Sequence, residues 1–123
     1  MTAYDPNNIF AKILRGEIPC KKVYEDDHVL AFHDIHPQAP VHVLVLPKGA
    51  YRDMNDFTAR ASGDEMAALL RAFGTIARDL GLDATGYRMI SNCGVNSGQE
   101  VPHLHLHLVG GRKLGRMLQA EAA

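Results

Sequence analysis

Residues 103–108 read His-Leu-His-Leu-His-Leu. A period of two is the spacing of an extended strand, whose successive side chains point to opposite faces. The segment is therefore predicted to be a strand from about Pro102 to Val109, stopped by Gly110 and Gly111. Its leucines face a core, and His103, His105 and His107 form a row on the other face. Imidazole titrates near neutral pH and serves as nucleophile, acid, base or metal ligand. Packing is a poor account of such a row; the competing reading is a solvent-facing polar strand.

The 123 residues fit one domain, with a core over about 8–109 and a tail over 110–123. The chain is 46% hydrophobic and 22% charged, ordinary for a soluble globular protein. A formal net charge of −1 argues against nucleic acid or an anionic membrane as partner. Cys20 and Cys93 are far apart, form no C-x-x-C pair, and read as free thiols of a reducing compartment. The N-terminus carries no basic-then-apolar leader, and no apolar run approaches the ~20 residues that span a bilayer. A cytoplasmic location is expected.

Asn8 is placed to cap a short helix from Ile9 to about Arg15, ended by Gly16. Strands are predicted at Lys21–Glu25 and His28–Asp34 around an Asp26-Asp27 turn, at Val41–Leu46, and at Tyr87–Ser91. Ser62 and Glu65 match a capping box, and Met66, Leu69, Leu70, Phe73, Ile76, Ala77 and Leu80 follow at helical spacing up to Gly81. About five strands, one long helix and one short helix make an α+β domain, an antiparallel sheet covered by helices on one face.

Two kinds of chemistry suit the histidine row. Zinc would take two of its imidazoles and a third ligand such as His42. However, same-face residues lie ~6.6 Å apart along a strand, so His103 and His107 are ~13 Å apart at the backbone, too far for one ion. The alternating leucines also supply no carboxylate to orient ligand imidazoles. In covalent catalysis, a neutral imidazole attacks phosphorus, and the middle histidine, His105, has a neighbour on each side to orient it or move a proton. The loop Asn92–Gln99 precedes the row, and its Gly94, Gly98, Asn, Ser and Gln residues suit an anion. His42, within an apolar strand, reads either as a hydrogen-bonded core residue or as part of a relay with the row. Asp34 reads as a ribose acceptor or a turn aspartate. His28 and His36 read as surface or loop residues.

The row resembles the motif His-x-His-x-His-x-x of the histidine triad (HIT) superfamily, as His103-Leu104-His105-Leu106-His107-Leu108-Val109. Asn8–Ile13, Glu17-Ile18-Pro19, Glu25-Asp26-Asp27, Ala31–His42 and Leu46-Pro47-Lys48 are similar to the N-terminal half of its Hint branch. Gly110-Gly111-Arg112 is also similar to Hint rather than Fhit, and the resemblance covers about residues 8–118.

This resemblance implies a HIT-like fold whose sheet extends across a homodimer. It implies a purine nucleoside phosphoramidase, with no cofactor and no metal, releasing AMP or GMP and an amine. His105 would be the nucleophile, His103 and His42 a supporting relay able to supply the amine's proton, and His107 a phosphate contact. Asn92, Gly98 and Val101 would line the phosphate site, with Gln99 beside the leaving group and Asp34 on the ribose. Ile9, Phe10, Ile13, Ile18, Phe32, His33 and Ile35 would form the base pocket. Three alternatives stay open: a dinucleoside polyphosphate hydrolase or nucleotidyl transferase of the wider family, a nucleotide-binding scaffold protein, and a zinc protein. Glu100 stands where a serine is expected, Pro102 where an aromatic is expected, and the chain has no tryptophan.

Overall fold

The computed structural model describes residues 3–119. Its elements are α1 (Ile9–Leu14), β1 (Lys22–Glu25), β2 (Val29–His33), β3 (Val41–Pro47), α2 (Met54–Arg60), α3 (Gly63–Asp79), α4 (Leu82–Thr85), β4 (Tyr87–Ile90) and β5 (Leu106–Gly110), with a 3-10 turn at Val95–Ser97. The strands form one antiparallel sheet in the order β1-β2-β3-β5-β4. None of the described helices is long and apolar enough to cross a membrane.

The central strand β3 separates two cores. Val43 and Val45 join Val29, Ala31, Leu106, Leu108 and the α3 residues Leu69, Phe73 and Ile76 on the helix side. Leu44 and Leu46 join Leu30, Phe32 and Phe10 of α1 on the other side. Central strands buried on both faces lose the polar alternation of an edge strand, which is why Val41–Leu46 is apolar apart from His42. The predicted capping box is present: Ser62 accepts from the N–H of Glu65, and the Glu65 carboxylate accepts from the N–H of Ser62. Asn8 likewise caps α1 by accepting from the N–H of Ala11 at 2.9 Å.

The sheet matches the predicted number of strands; the helices exceed the prediction by α2, α4 and the 3-10 turn. Asp53 caps α2 through the N–H of Asp56, and Arg60 pairs with Asp56 one turn along. The helix is too short for a hydrophobic repeat to reveal it.

The histidine strand starts later than its alternation predicts. Hydrogen-bonded pairing begins at Leu106 opposite Val45, not at Pro102. The cause is Pro47, which ends β3 and has no N–H to extend the ladder. Upstream of it the chain still runs extended, with the N–H of Leu104 donating to the Tyr51 carbonyl at 2.8 Å. Facing is therefore kept: Leu104, Leu106 and Leu108 all enter the helix-side core. After the strand, Gly111 turns at φ +93°, where a Cβ would meet Pro40 at 2.9 Å; the position needs glycine on both counts.

Candidate active site

The imidazoles are enclosed rather than displayed. His103 is fully buried, His105 and His42 are buried, and His107 is half-buried. Phe10 of α1 stands edge-on to His105, with ring centroids 4.8 Å apart and planes at 81°. His105 and His107 are neighbours, with centroids 5.0 Å apart.

Hydrogen-bond partners fix where each proton sits. A carbonyl only accepts, so His105 donates its Nδ1–H to the His103 carbonyl at 2.7 Å. Its lone pair is then on Nε2. His103 donates Nε2–H to the Pro47 carbonyl at 2.9 Å, and its Nδ1 accepts the Tyr4 hydroxyl proton at 2.6 Å. The N–H of Gln38 donates to His42 Nδ1 at 3.0 Å, so His42 carries its proton on Nε2 and donates it to His107 Nδ1 at 2.9 Å. His107 in turn keeps its proton on Nε2. The expected relay of His103 with His42 is not what forms. The partner of His42 is His107, while His103 bonds Tyr4 and Pro47, because the extended backbone separates alternate residues of the row.

Burial holds all four imidazoles neutral. Desolvation lowers the pKa of His103 to about 4. Desolvation and the neighbouring His105 and His42 lower that of His107 to about 4. Desolvation likewise lowers those of His42 and His105, with Asp34 opposing it.

His105 and His107 line a cavity of about 600 Å³, a size that suits a small-molecule ligand. Ile9, Phe10, Ile13, Ile18 and Phe32 form an apolar wall, with His33, Asp34 and Ile35 at its edge. Asn92, Gly98, Gln99 and Val101 also line it, Val101 packing against the cluster of Phe10 and Phe32. His42 and His103 are absent from the lining and stand behind it. Pro19, Cys20, Gln38 and Leu44 complete the lining, as do Glu100 and His36, which is an exposed loop residue as expected. No local signal marks Leu44 or Cys20; the sheet and α1 bring them there.

The loop 92–99 differs from a free anion cradle. The N–H groups of Gly94, Gly98 and Gln99 bond to the Gln99 side chain and to the carbonyls of Val95 and Gly94. The Gln99 amide also donates to the carbonyls of Arg52 and Val101. Positive φ at Gly94 and Gly98 closes the loop on itself. Of the two readings of Asp34, the turn contact is present: Oδ1 accepts from the N–H of His36 at 2.9 Å, while Oδ2 lies 3.4 Å from His42 Nε2.

Asp34, His42 and His107 bring three potential ligand atoms within 4.8 Å of one another. Two of these atoms already share the His42–His107 hydrogen bond, and Gln38 blocks the move of the His42 proton to Nδ1. A metal would have to displace that arrangement. Both cysteines are free thiols.

A family model described as HIT domain matches residues 15–114. The chain belongs to the HIT domain family. An uncharacterised HIT-like protein of Azospirillum brasilense is 64% identical over 115 residues, covering 94% of each chain. The purine nucleoside phosphoramidase of Escherichia coli K12 is 46% identical over 110 residues, covering 89% of this chain and 92% of that one. A histidine triad protein from Clostridium difficile superimposes with a TM-score of 0.81 at 45% identity, covering 93% of this chain and 98% of that one. A HIT family hydrolase from Clostridium thermocellum gives a TM-score of 0.84 at 42% identity, over 91% and 97%. The five-stranded antiparallel sheet described above is thus the HIT fold.

Proposed function

We propose that this HIT protein is a purine nucleoside phosphoramidase that works through a nucleotidyl intermediate on His105. The carrying observation is the tautomer of His105. Its Nδ1–H is committed to the His103 carbonyl, leaving a neutral Nε2 lone pair on a residue that lines the cavity. In the first half-reaction Nε2 bonds to phosphorus, the P–N bond breaks, and the amine leaves with one proton from solvent. The ring becomes cationic, so the bond from Nδ1–H to the His103 carbonyl strengthens as the reaction proceeds. Such an interaction favours the transition state over the ground state. His107 Nε2–H is the adjacent donor for a phosphoryl oxygen. In the second half-reaction water bonds to phosphorus, the His105–phosphorus bond breaks, and one proton returns to solvent. All imidazoles end as they began.

Charge favours a phosphoramidate over a dinucleoside polyphosphate. The cavity lining holds two carboxylates, Asp34 and Glu100, and no lysine or arginine. A monoanionic phosphorus with neutral donors fits that lining; a polyphosphate chain meets repulsion. The apolar wall takes the purine, and Asp34 takes the ribose hydroxyls. β4 lies at the sheet edge with Tyr87 and Met89 exposed, and pairing of β4 with a second copy would extend the sheet across a homodimer.

The test is incubation with a tryptamine adenosine phosphoramidate, followed by mass spectrometry of the quenched protein. The expected adduct is AMP on His105, absent from His105→Ala together with turnover. Equal turnover by the two proteins overturns the reading. Binding of nucleotide without turnover by either points to the scaffold alternative.

A further inference from the structure

The segment before α1 makes a contact that the proposed chemistry does not use. Tyr4 reaches across 99 positions of sequence to place its hydroxyl 2.6 Å from Nδ1 of His103. The rings meet edge to face, with centroids 5.7 Å apart. His103 itself is 0% exposed and is not part of the cavity lining. It is nevertheless anchored at three points: Nε2–H on Pro47, Nδ1 under Tyr4, and its carbonyl on the His105 Nδ1–H.

These three bonds depend on one another. Pro47 presents only an acceptor, so Nε2 must carry the His103 proton. Nδ1 is then a buried acceptor that requires a donor, and the hydroxyl of Tyr4 is that donor. Burial raises the Tyr4 pKa, which keeps the hydroxyl protonated over the working range.

We propose that Tyr4 is a positioning residue for His105. By holding the tilt of His103, whose tautomer Pro47 sets, it holds the carbonyl that takes the nucleophile's Nδ1–H, and so the aim of Nε2. This rests on His105 being the nucleophile. The N-terminal segment then grips both histidines, with Tyr4 bonded to His103 and Phe10 edge-on to His105. Asn8 links the two grips, because its amide donates to the Asp5 carbonyl at 2.7 Å while its oxygen caps α1. Tyr4 and Phe10 both lie outside residues 15–114 matched by the HIT domain model.

The substitution Tyr4→Phe removes the hydroxyl and keeps the ring packing. Long-range proton–nitrogen NMR of the full chain reads the tautomer of each histidine. The expected result is a single Nδ1–H form of His105 in the parent and a mixture of both forms in Tyr4→Phe. In single-turnover kinetics the rate of His105 nucleotidylation should fall about tenfold, with AMP affinity within about twofold of the parent. Incorporating 4-aminophenylalanine at position 4 restores an N–H donor and should restore the single tautomer and the rate. An unchanged His105 tautomer in a folded Tyr4→Phe protein overturns the proposal, as does a loss confined to AMP affinity. If the parent protein cleaves no phosphoramidate, the reaction reading fails, while the NMR result still decides the role of Tyr4.

Discussion

His42 and His107 are joined nitrogen to nitrogen at 2.9 Å, and the direction of that bond is set from outside the pair. Gln38 can only donate to His42 Nδ1, so the proton between the two rings belongs to His42. The consequence reaches the cavity: His107 must turn a donor, not a lone pair, toward whatever binds there. A backbone amide in the loop before β3 thus determines the polarity of the site.

Removing the His107 donor should slow chemistry by about 10²-fold in kcat, the usual cost of one lost donor to a developing charge. His42→Ala should act differently. It leaves the Gln38 N–H and His107 Nδ1 without their partner, which costs about 1–3 kcal/mol for a buried polar group. Steady-state kinetics and urea unfolding of the two variants separate these effects.

Stability should fall on acidification between the ordinary histidine pKa of 6.5 and the folded value of about 4 for His103 and His107. In that window the unfolded chain binds protons that the folded chain refuses, so unfolding is favoured as pH drops. Protonating His103 in place costs about 3 kcal/mol. Urea midpoints measured from pH 8 to pH 4 should decline below 6.5. A flat profile would show that these imidazoles are solvated in solution.

The rate should keep its neutral-pH value to a lower pH than a free imidazole allows, because burial also lowers the His105 pKa. The neutral form is the nucleophile, so kcat/KM falls only as that depressed pKa is approached. A pH–rate profile for the phosphoramidate gives the position of the acidic limb.

Glu100 is exposed on the cavity rim and adds negative charge without a compensating lysine or arginine in the lining. Glu100→Gln should therefore raise kcat/KM for substrates with an anionic leaving amine by about two- to threefold, and lower it for cationic ones by a similar factor. The ratio of the two specificity constants is the measurement; an unchanged ratio would place the carboxylate away from the leaving group.

Prolonged treatment with a chelator should leave turnover unaltered, since the proposed steps need only imidazoles and solvent protons. Metal analysis of the treated protein, paired with an activity assay, checks this. Activity that disappears with the metal and returns with zinc would assign Asp34, His42 and His107 to coordination instead.

Local rules carried much of the fold. The Ser62–Glu65 capping box and the Asn8 cap involve partners three residues apart, and the leucine face of residues 104–108 follows from strand geometry. Seven residues of α2 offer too short a repeat to register. The late start of β5 depends on a proline in another strand. Of the cavity, the apolar residues near the N-terminus, Asp34 and the loop 92–101 were legible through their likeness to the Hint branch. Tyr4 was not, because it lies outside those segments and acts through a contact 99 residues away. Gln38 sits within a Hint-like segment, but its part is played by a backbone N–H, which no side-chain pattern marks.

The sequence by itself determined that three imidazoles would alternate with three leucines, since an extended backbone permits no other facing. Tertiary structure alone decided what each imidazole does. Its surroundings supply a carbonyl, a hydroxyl or an amide at one ring nitrogen, and a neutral ring has a single proton to place. Those partners come from residues 4, 38, 47 and 103, so only the folded chain makes His105 a lone-pair donor and His107 a proton donor.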